Sequence, residues 1–450
     1  MARFLLDRIG KMNPTLNAYI TVCEESALQQ AVRAESELCT KTRGKRRRNR
    51  GPLHGIPISL KDNIYTNAIR TTGGSKILEL FVPSRDAPVV RSLKKAGAVI
   101  LGKTNMHEFA YGVTTDNPHF GPTRNPWDLQ RIPGGSSGGS AAAIAAGLCY
   151  GSIGTDTGGS IRIPASLCGV VGLKPGVGRV SAKDVIPLSP TLDVVGPLAR
   201  TVEDAALLLA PILVKKKNEH NLLPGRLPSS RGRRLCLGVP KEFFLEVLDP
   251  DVEAAFETAL RLLKKRGVRF KDVSIPQLLE TEDAGNQIAW AEATLCHQRA
   301  GWFPERAAEY GDDVRARLEM GAKVTAISYL RALEVRETFV KSLHEVLARN
   351  ELHALVVPTT PIAAPRFGED SVLIKGVALP MRALLLRLNR PANLAGVPAI
   401  SVPCGLTKGG LPVGLQFIAA QTEELLLLEI ASTFEQAFPL SARPHLNSLN

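Results

Sequence analysis

The chain has 450 residues, 44% of them hydrophobic and 22% charged, which gives room for a sizeable core and excludes a chain disordered throughout. Lys and Arg outnumber Asp and Glu by 13, but seven basic residues lie in the single run KTRGKRRRNR, Lys41 to Arg50, and without it the excess falls to +6. The charge is therefore local and does not describe a chain-wide nucleic-acid surface; the run reads as a solvated insertion, with RNA or an anionic membrane as less favoured partners.

Seven cysteines (Cys23, Cys39, Cys149, Cys168, Cys236, Cys296 and Cys404) are odd in number, scattered and without a CxxC pair. That argues against a disulfide framework and a zinc site. The opening MARFLLDRIGKMNP lacks a signal-like apolar stretch, and no run reaches the ~18 apolar residues of a membrane span. A cytoplasmic protein with no membrane span is expected.

Apolar spacings of three and four predict helix over about 3–38. After the basic insertion, GPLHGIPISLKDN predicts a short strand ending in polar residues. DAPVVRSLKKAGAVILGKTN then reads as helix, Gly turn and buried strand, and SAAAIAAGLCYGSIGTDT repeats that order. From Lys215 to Arg234 the composition shifts to an exposed connection. Beyond it come strand LCLGVP, helix DVEAAFETALRLLKKRG and strand VRFKDVSIP, then helices over much of 284–350. The tail holds strands HALVVPTTP, PAISVPCG and VGLQFIA and a last helix. This alternation predicts an α/β fold in which helices cover a mixed or largely parallel sheet.

Two loops carry the chemistry. RIPGGSSGGSAAAIAAG (Arg131 to Gly147) packs four glycines and three serines into seven residues before an alanine-rich helix. GTDTGGSIRIPAS (Gly154 to Ser166) places Gly158 and Gly159 before Ser160, and its Pro164 is expected to limit any continuing helix. Paired glycines let successive N–H groups point into one concavity, an anion nest. Neither loop matches GxxxxGK[ST], and neither is a GxGxxG that follows a strand with an acid further on, so a serine nucleophile cradled by oxyanion donors is the better reading. None of the eight histidines lies in a comparable motif, although His54 and His107 are the best placed. Lys61, at the end of an apolar strand, is the stronger base, because burial lowers an amine pKa toward the range of proton acceptors.

Together these segments resemble the amidase signature family. Lys61 in SLKDN, Ser136 in GGSSGGSAAA and Ser160 in GTDTGGSIRIPA match the family's Ser–cis-Ser–Lys triad in order, with separations of 75 and 24 residues. The likeness continues through GVVGLKP, GRVS, LDVVGPLART, VPTTP, NLAGVPAISVPCG and LPVGLQFI, nearly the whole chain. It implies a single α/β domain over 1–450 with a mixed, largely parallel sheet and helices on both faces. Within it we delimit a helical segment (1–40), the basic insertion (41–50), a catalytic core (51–210), the connection (215–234) and a second part (235–450). The resemblance also implies a cis Gly135–Ser136 bond, Ser160 as nucleophile, oxyanion donors at Thr157, Gly158, Gly159 and Ser160, and no metal or cofactor. Ser137, Asp156 and Arg162 are expected to support the triad by hydrogen bonds.

Within that family the rivals are freestanding amidases and the glutamine-hydrolysing subunit of the glutamyl-tRNA(Gln) amidotransferase, which passes ammonia to its partner. The glutamine pocket of that subunit uses an arginine, which Arg317 in VRARLEMG supplies, and an aspartate, whose position falls on Leu386. A leucine cannot hold an ammonium group. NRPANLAG, with Arg390 and Asn393, looks more like general amidases, and KPGVGRVS departs from the family's common KPTYGRVS, with Gly176 and Val177 in place of Thr and Tyr. The expectation is a stand-alone amidase for a small amide with an uncharged, partly apolar acyl group, with Arg317 and Asn393 as candidate substrate contacts. Arg317 can equally be an exposed helix charge. A homodimer is open, and a non-catalytic binding module is disfavoured because all three triad positions are occupied.

Overall fold

The computed structural model describes residues 1–39, 49–214, 234–438 and 442–444. Of the basic run only Asn49 and Arg50 are included, and of the connection at 215–234 only Arg234; the remainder of both lies outside the described residues.

The apolar segments become strands in chain order. The first half supplies β1 (Tyr19–Val22), β2 (Pro57–Lys61), β3 (Val99–Thr104), β4 (Gly151–Asp156), β5 (Val171–Lys174) and β6 (Val194–Ala199). The second supplies β7 (Cys236–Pro240), β8 (Arg269–Val273), β9 (Ala354–Pro358), β10 (Ser371–Ile374), β11 (Val377–Pro380), β12 (Ala399–Leu406) and β13 (Pro412–Ile418). Eleven of them form one sheet in the order β1-β3-β2-β4-β6-β5-β12-β13-β9-β7-β8, while β10 and β11 pair as a separate hairpin.

The chain therefore has the α/β architecture expected, with a single mixed sheet. Its parallel pairings gather in two blocks, β3-β2-β4 and β9-β7-β8, where crossover segments containing helices join the strands. Between the blocks the pairing is antiparallel. No helix lies between β5 and β6, and β12 and β13 form a hairpin, so neither pair has the crossover that parallel neighbours require.

Helices cover both faces. On β3, Val99 and Leu101 join one apolar cluster and Ile100 joins another, as the period-two alternation of a strand dictates. The first cluster includes helices Ala2–Leu16, Gly138–Ala145 and Arg162–Cys168. The second and larger includes Pro88–Lys95, Val202–Leu209, Pro250–Lys265, Ala326–Arg349 and Glu424–Ala437. No described helix is long and apolar enough to cross a membrane.

Three local features differ from the sequence reading. The N-terminal region is two helices, Ala2–Leu16 and Glu24–Cys39, separated by the edge strand β1. Asn17 ends the first in a left-handed conformation, and Asn13 Oδ1 accepts the Tyr19 N–H at 2.8 Å, steering the chain into the sheet. Pro164 lies inside helix Arg162–Cys168 without ending it, because at the third residue it lacks only an N–H that has no intrahelical acceptor. The β10–β11 hairpin went unread because most of its residues are at least partly exposed and the apolar signal is weak.

Candidate active site

Three neighbouring strands and two glycine-rich loops build the site. Lys61 ends β2, flanked by β3 and β4, and is fully buried. Its Nζ lies 2.7 Å from Ser136 Oγ and 2.7 Å from Thr155 Oγ1 on β4. Burial lowers the Lys61 pKa to about 7, while the negative charges of Asp156 and Asp193 pull it the other way. The ammonium expected of an ordinary lysine is thus close to balance with the neutral amine at physiological pH.

The first loop holds Ser136 by its backbone. Gly135–Ser136 is a cis peptide, and the carbonyl of Ser136 accepts the His107 N–H at 3.2 Å. Thr115 Oγ1 donates to the carbonyl of Gly134 at 2.8 Å. Helix Gly138–Ala145 then anchors the loop through close packing: a side chain at Gly139 would begin 2.4 Å from the Asn105 carbonyl oxygen and 2.6 Å from that of Ala18. The glycine density thus serves contact with neighbouring backbone, and the alanines behind it are all buried. Ser140 Oγ secures the helix start with Thr104 Oγ1 at 2.7 Å and Ser152 Oγ at 2.9 Å.

The second loop carries Ser160. It is 6% exposed where Ser136 and Lys61 are sealed, so of the three it is the one that solvent reaches. Ser137 N–H donates to the Ser160 carbonyl at 3.1 Å and ties the loops together; Ser137 Oγ also bonds the Thr155 carbonyl at 3.2 Å. Gly159 has φ of +122°, and a Cβ there would stand 2.7 Å from Asn389 Cβ, so only glycine fits the turn. The Gly159 N–H is held by Asp156 Oδ1 at 2.8 Å and does not face the pocket as a free donor. Among the described residues the N–H groups of Gly158 and Ser160 have no hydrogen-bond acceptor. The Thr157 hydroxyl donates to Asp193 Oδ1 at 2.6 Å.

Asp156 and Arg162 form the buried frame behind this turn. Arg162 Nε and Nη2 each donate to the Asp156 carboxylate at 3.0 Å, and Ile161 N–H adds a further bond at 3.1 Å. Burial opposes the carboxylate charge, yet Arg162 outweighs it and holds the Asp156 pKa well below the usual range. Arg162 also reaches Asn389 O at 3.0 Å, Gln416 Oε1 at 2.6 Å and Asn393 Oδ1 at 2.6 Å. Asn393 Nδ2 donates to Asp156 Oδ1 at 2.8 Å, so both ends of its amide belong to this frame, not to a substrate contact.

Of the remaining candidates, His54 faces Glu37 at 3.2 Å, remote from Ser136. His107 is nearer, but its ring bonds Thr114 Oγ1 at 3.1 Å and Asp313 at 2.9 Å. Arg317 is not the exposed helix charge that was one reading of it; it is 8% exposed and paired with Asp313. Among the described residues no group of three or more His, Cys, Asp or Glu is arranged to hold a metal ion.

Sequence reasoning missed Thr155, Asp193, Asn389 and Gln416. Gln416 had a signal, a single amide within the apolar run LPVGLQFI; the others come together only through folding. Asp193 accepts Leu188 and Ser189 N–H groups at 2.9 and 3.1 Å, and burial raises its pKa to about 6. It lines a cavity of about 120 Å³ together with Asn63, Thr155 and Thr157.

A buried lysine bonded to Ser136, beside a more accessible serine, Ser160, whose turn carries free backbone donors, is an arrangement for acyl transfer. Comparison with known proteins agrees. The family model Amidase matches residues 1–428. The chain is 40% identical over 458 residues to a glutamyl-tRNA(Gln) amidotransferase subunit of Syntrophus aciditrophicus, covering 95% of this chain and 91% of that protein. Among solved structures, an amidase superposes with a TM-score of 0.86 at 35% identity, covering 96% of this chain and 94% of the other. The native peptide amidase of Stenotrophomonas maltophilia gives 0.83 at 31%, covering 99% and 94%. The chain belongs to the amidase family and is a hydrolase of carbon–nitrogen amide bonds.

Proposed function

We propose that Lys61, Ser136 and Ser160 hydrolyse a small-molecule amide through an acyl-enzyme. The observation that carries this reading is the 2.7 Å approach of a fully buried lysine Nζ to Ser136 Oγ. Neutral Lys61 accepts a proton from Ser136, which takes one from Ser160 as its oxygen attacks the carbonyl carbon. The N–H groups of Gly158 and Ser160, with Thr157, receive the oxyanion; Gly159 acts instead by holding Asp156. Ser136 returns a proton to the departing nitrogen, and water then cleaves the Ser160 ester by the same route. One oxyanion donor is worth ~3–4 kcal/mol of barrier in comparable sites. Asp156, Arg162 and Ser137 position the two loops and do not touch the reacting atoms.

We place the enzyme in the cytoplasm, a reading supported by seven unpaired cysteines. A second reading, the amidotransferase component that draws ammonia from glutamine, is favoured by the 40% identity to glutamyl-tRNA(Gln) amidotransferase subunits. Leu386, buried where an ammonium acceptor would be needed, weighs against it.

The test is ammonia release from a panel of primary amides by the wild type and by Lys61→Ala, Ser136→Ala and Ser160→Ala, each checked for folding by circular dichroism. Rates should fall on the order of 10³-fold or more in every variant, as for nucleophile–base units elsewhere. A folded Ser160→Ala protein with unchanged turnover would remove the nucleophile assignment.

A further inference from the structure

Beside the serine pair lies a group of arginines that this chemistry does not use. Arg390 opens the short helix Arg390–Leu394 and is buried. A Cβ built on Gly158, two residues before Ser160, would stand 3.8 Å from Arg390 Nε and 3.9 Å from its Nη2. The same point is 3.2 Å from Leu386 Cδ2 on helix Met381–Arg387. Arg382 is one turn earlier on that helix and therefore shares the face of Leu386. Arg317 arrives from helix Asp312–Gly321, its guanidinium 5.3 Å from the centre of the Tyr111 ring. Tyr111 begins the segment that reaches Thr115, the residue bonded to Gly134. Four separate elements thus converge on one side of the loops that hold Ser136 and Ser160.

The charges there do not balance. Arg317 is paired with Asp313, which also takes His107 Nε2 at 2.9 Å. Arg390 is held by neutral acceptors, Asn286 Oδ1 and the Glu282 carbonyl; the Glu282 carboxylate attracts it but lies 3.9 Å from Arg387. Arg382 has no hydrogen bond or ion pair among the described residues, and its Nε is buried. Arg317 Nε and Tyr111 Oη are likewise buried without partners. Burial, and then the Arg317 and Arg390 charges, depress the Arg382 pKa, and the pull of Asp313, which is already paired with Arg317, does not offset them. Arg382 lies within electrostatic reach of Arg317, Arg390 and Tyr111, so the three orphaned donors belong to one cluster beside the Gly158 turn and describe a receptor for an anion, since buried cations are stable only when paired. Leu386 offers methyl groups there and no acceptor for an ammonium.

Resting on the Ser160 acyl-enzyme reading, we infer that the acyl pocket takes a carboxylate-bearing chain: the substrate is the monoamide of a short dicarboxylic acid without an α-ammonium, its free carboxylate bound by Arg382 with Arg317, Arg390 and Tyr111. This replaces the uncharged acyl group expected from the sequence.

The experiment compares glutaramate, valeramide and L-glutamine as substrates of the full chain, with wild type, Arg382→Met and Arg382→Lys. Calorimetry of glutarate binding is read in parallel, together with fluorophosphonate labelling of Ser160. The inference predicts that glutaramate exceeds both other amides in kcat/KM by about tenfold or more, the value of one charge-assisted contact. Arg382→Met should remove most of that preference through KM, weaken glutarate binding by a similar factor and leave Ser160 labelling intact, while Arg382→Lys keeps part of both. Labelled enzyme that prefers valeramide or glutamine would overturn the carboxylate pocket and leave the acyl-enzyme standing. Loss of labelling in folded wild type would overturn the acyl-enzyme instead, and glutarate binding would then decide the pocket alone: none, or none sensitive to Arg382, rejects it.

Discussion

In the proposed reaction Lys61 controls when the site can work. Its amine must be neutral to accept a proton, and burial places its pKa at about 7. Activity should therefore be lost as pH falls below about 7 and level off above it, giving an acidic limb in kcat/KM. Asp193 raises the Lys61 pKa, so Asp193→Asn should move that limb to lower pH. A pH–rate profile of both proteins checks this; a limb that moves upward would contradict the assigned coupling. At this scale the sequence was informative where chemistry is contiguous. Ser160, Asp156 and Arg162 share one loop, and Lys61 stands out as a charge closing an apolar strand. Thr155, Asp193 and Arg382 could not be singled out, because their roles depend on which other elements they meet.

At the scale of elements, the two loops are rigid because buried polar groups join them to distant strands. Arg162 is the hub: it links the Asp156 turn to Asn389 and Asn393 around helix Arg390–Leu394 and to Gln416 on β13. Removing it strands a buried carboxylate, which costs about 3–5 kcal/mol. Arg162→Met should lower the urea midpoint accordingly and slow turnover together, and an unchanged midpoint would show that the frame carries no stability. The amphipathic helix Pro250–Lys265 and the apolar run that opens β3 were legible. The four-residue strands β1 and β5 were not, since so short a run gives a period too few repeats to register.

The whole molecule turns on one continuous sheet, with Lys61 and Thr155 on adjacent strands of its β3-β2-β4 block and Gln416 on β13 further along. β13 lies between β12 and β9, and all of its residues are buried. Phe417 on β13 is fully buried with its ring 6.2 Å from that of Phe434 in the last helix. Phe417→Ala should destabilise the protein by about 3–5 kcal/mol, read from chemical unfolding, because the enclosed cavity has little room to collapse. A loss below about 1 kcal/mol would mean that the last helix is not firmly packed on the sheet. The α/β class followed from the alternation of helices and strands, but the antiparallel middle did not, because strand direction depends on connections that carry no periodicity of their own.

The proposed reaction stands on Ser160 as an activated nucleophile served by Lys61. The most direct measurement is reaction of the full chain with a fluorophosphonate, followed by peptide mapping, in the wild type and in Lys61→Ala across pH 5–9. A single label on Ser160 is expected, formed faster as pH rises through about 7 and lost in the lysine variant. A label on another residue, or equal labelling in folded Lys61→Ala, would contradict it.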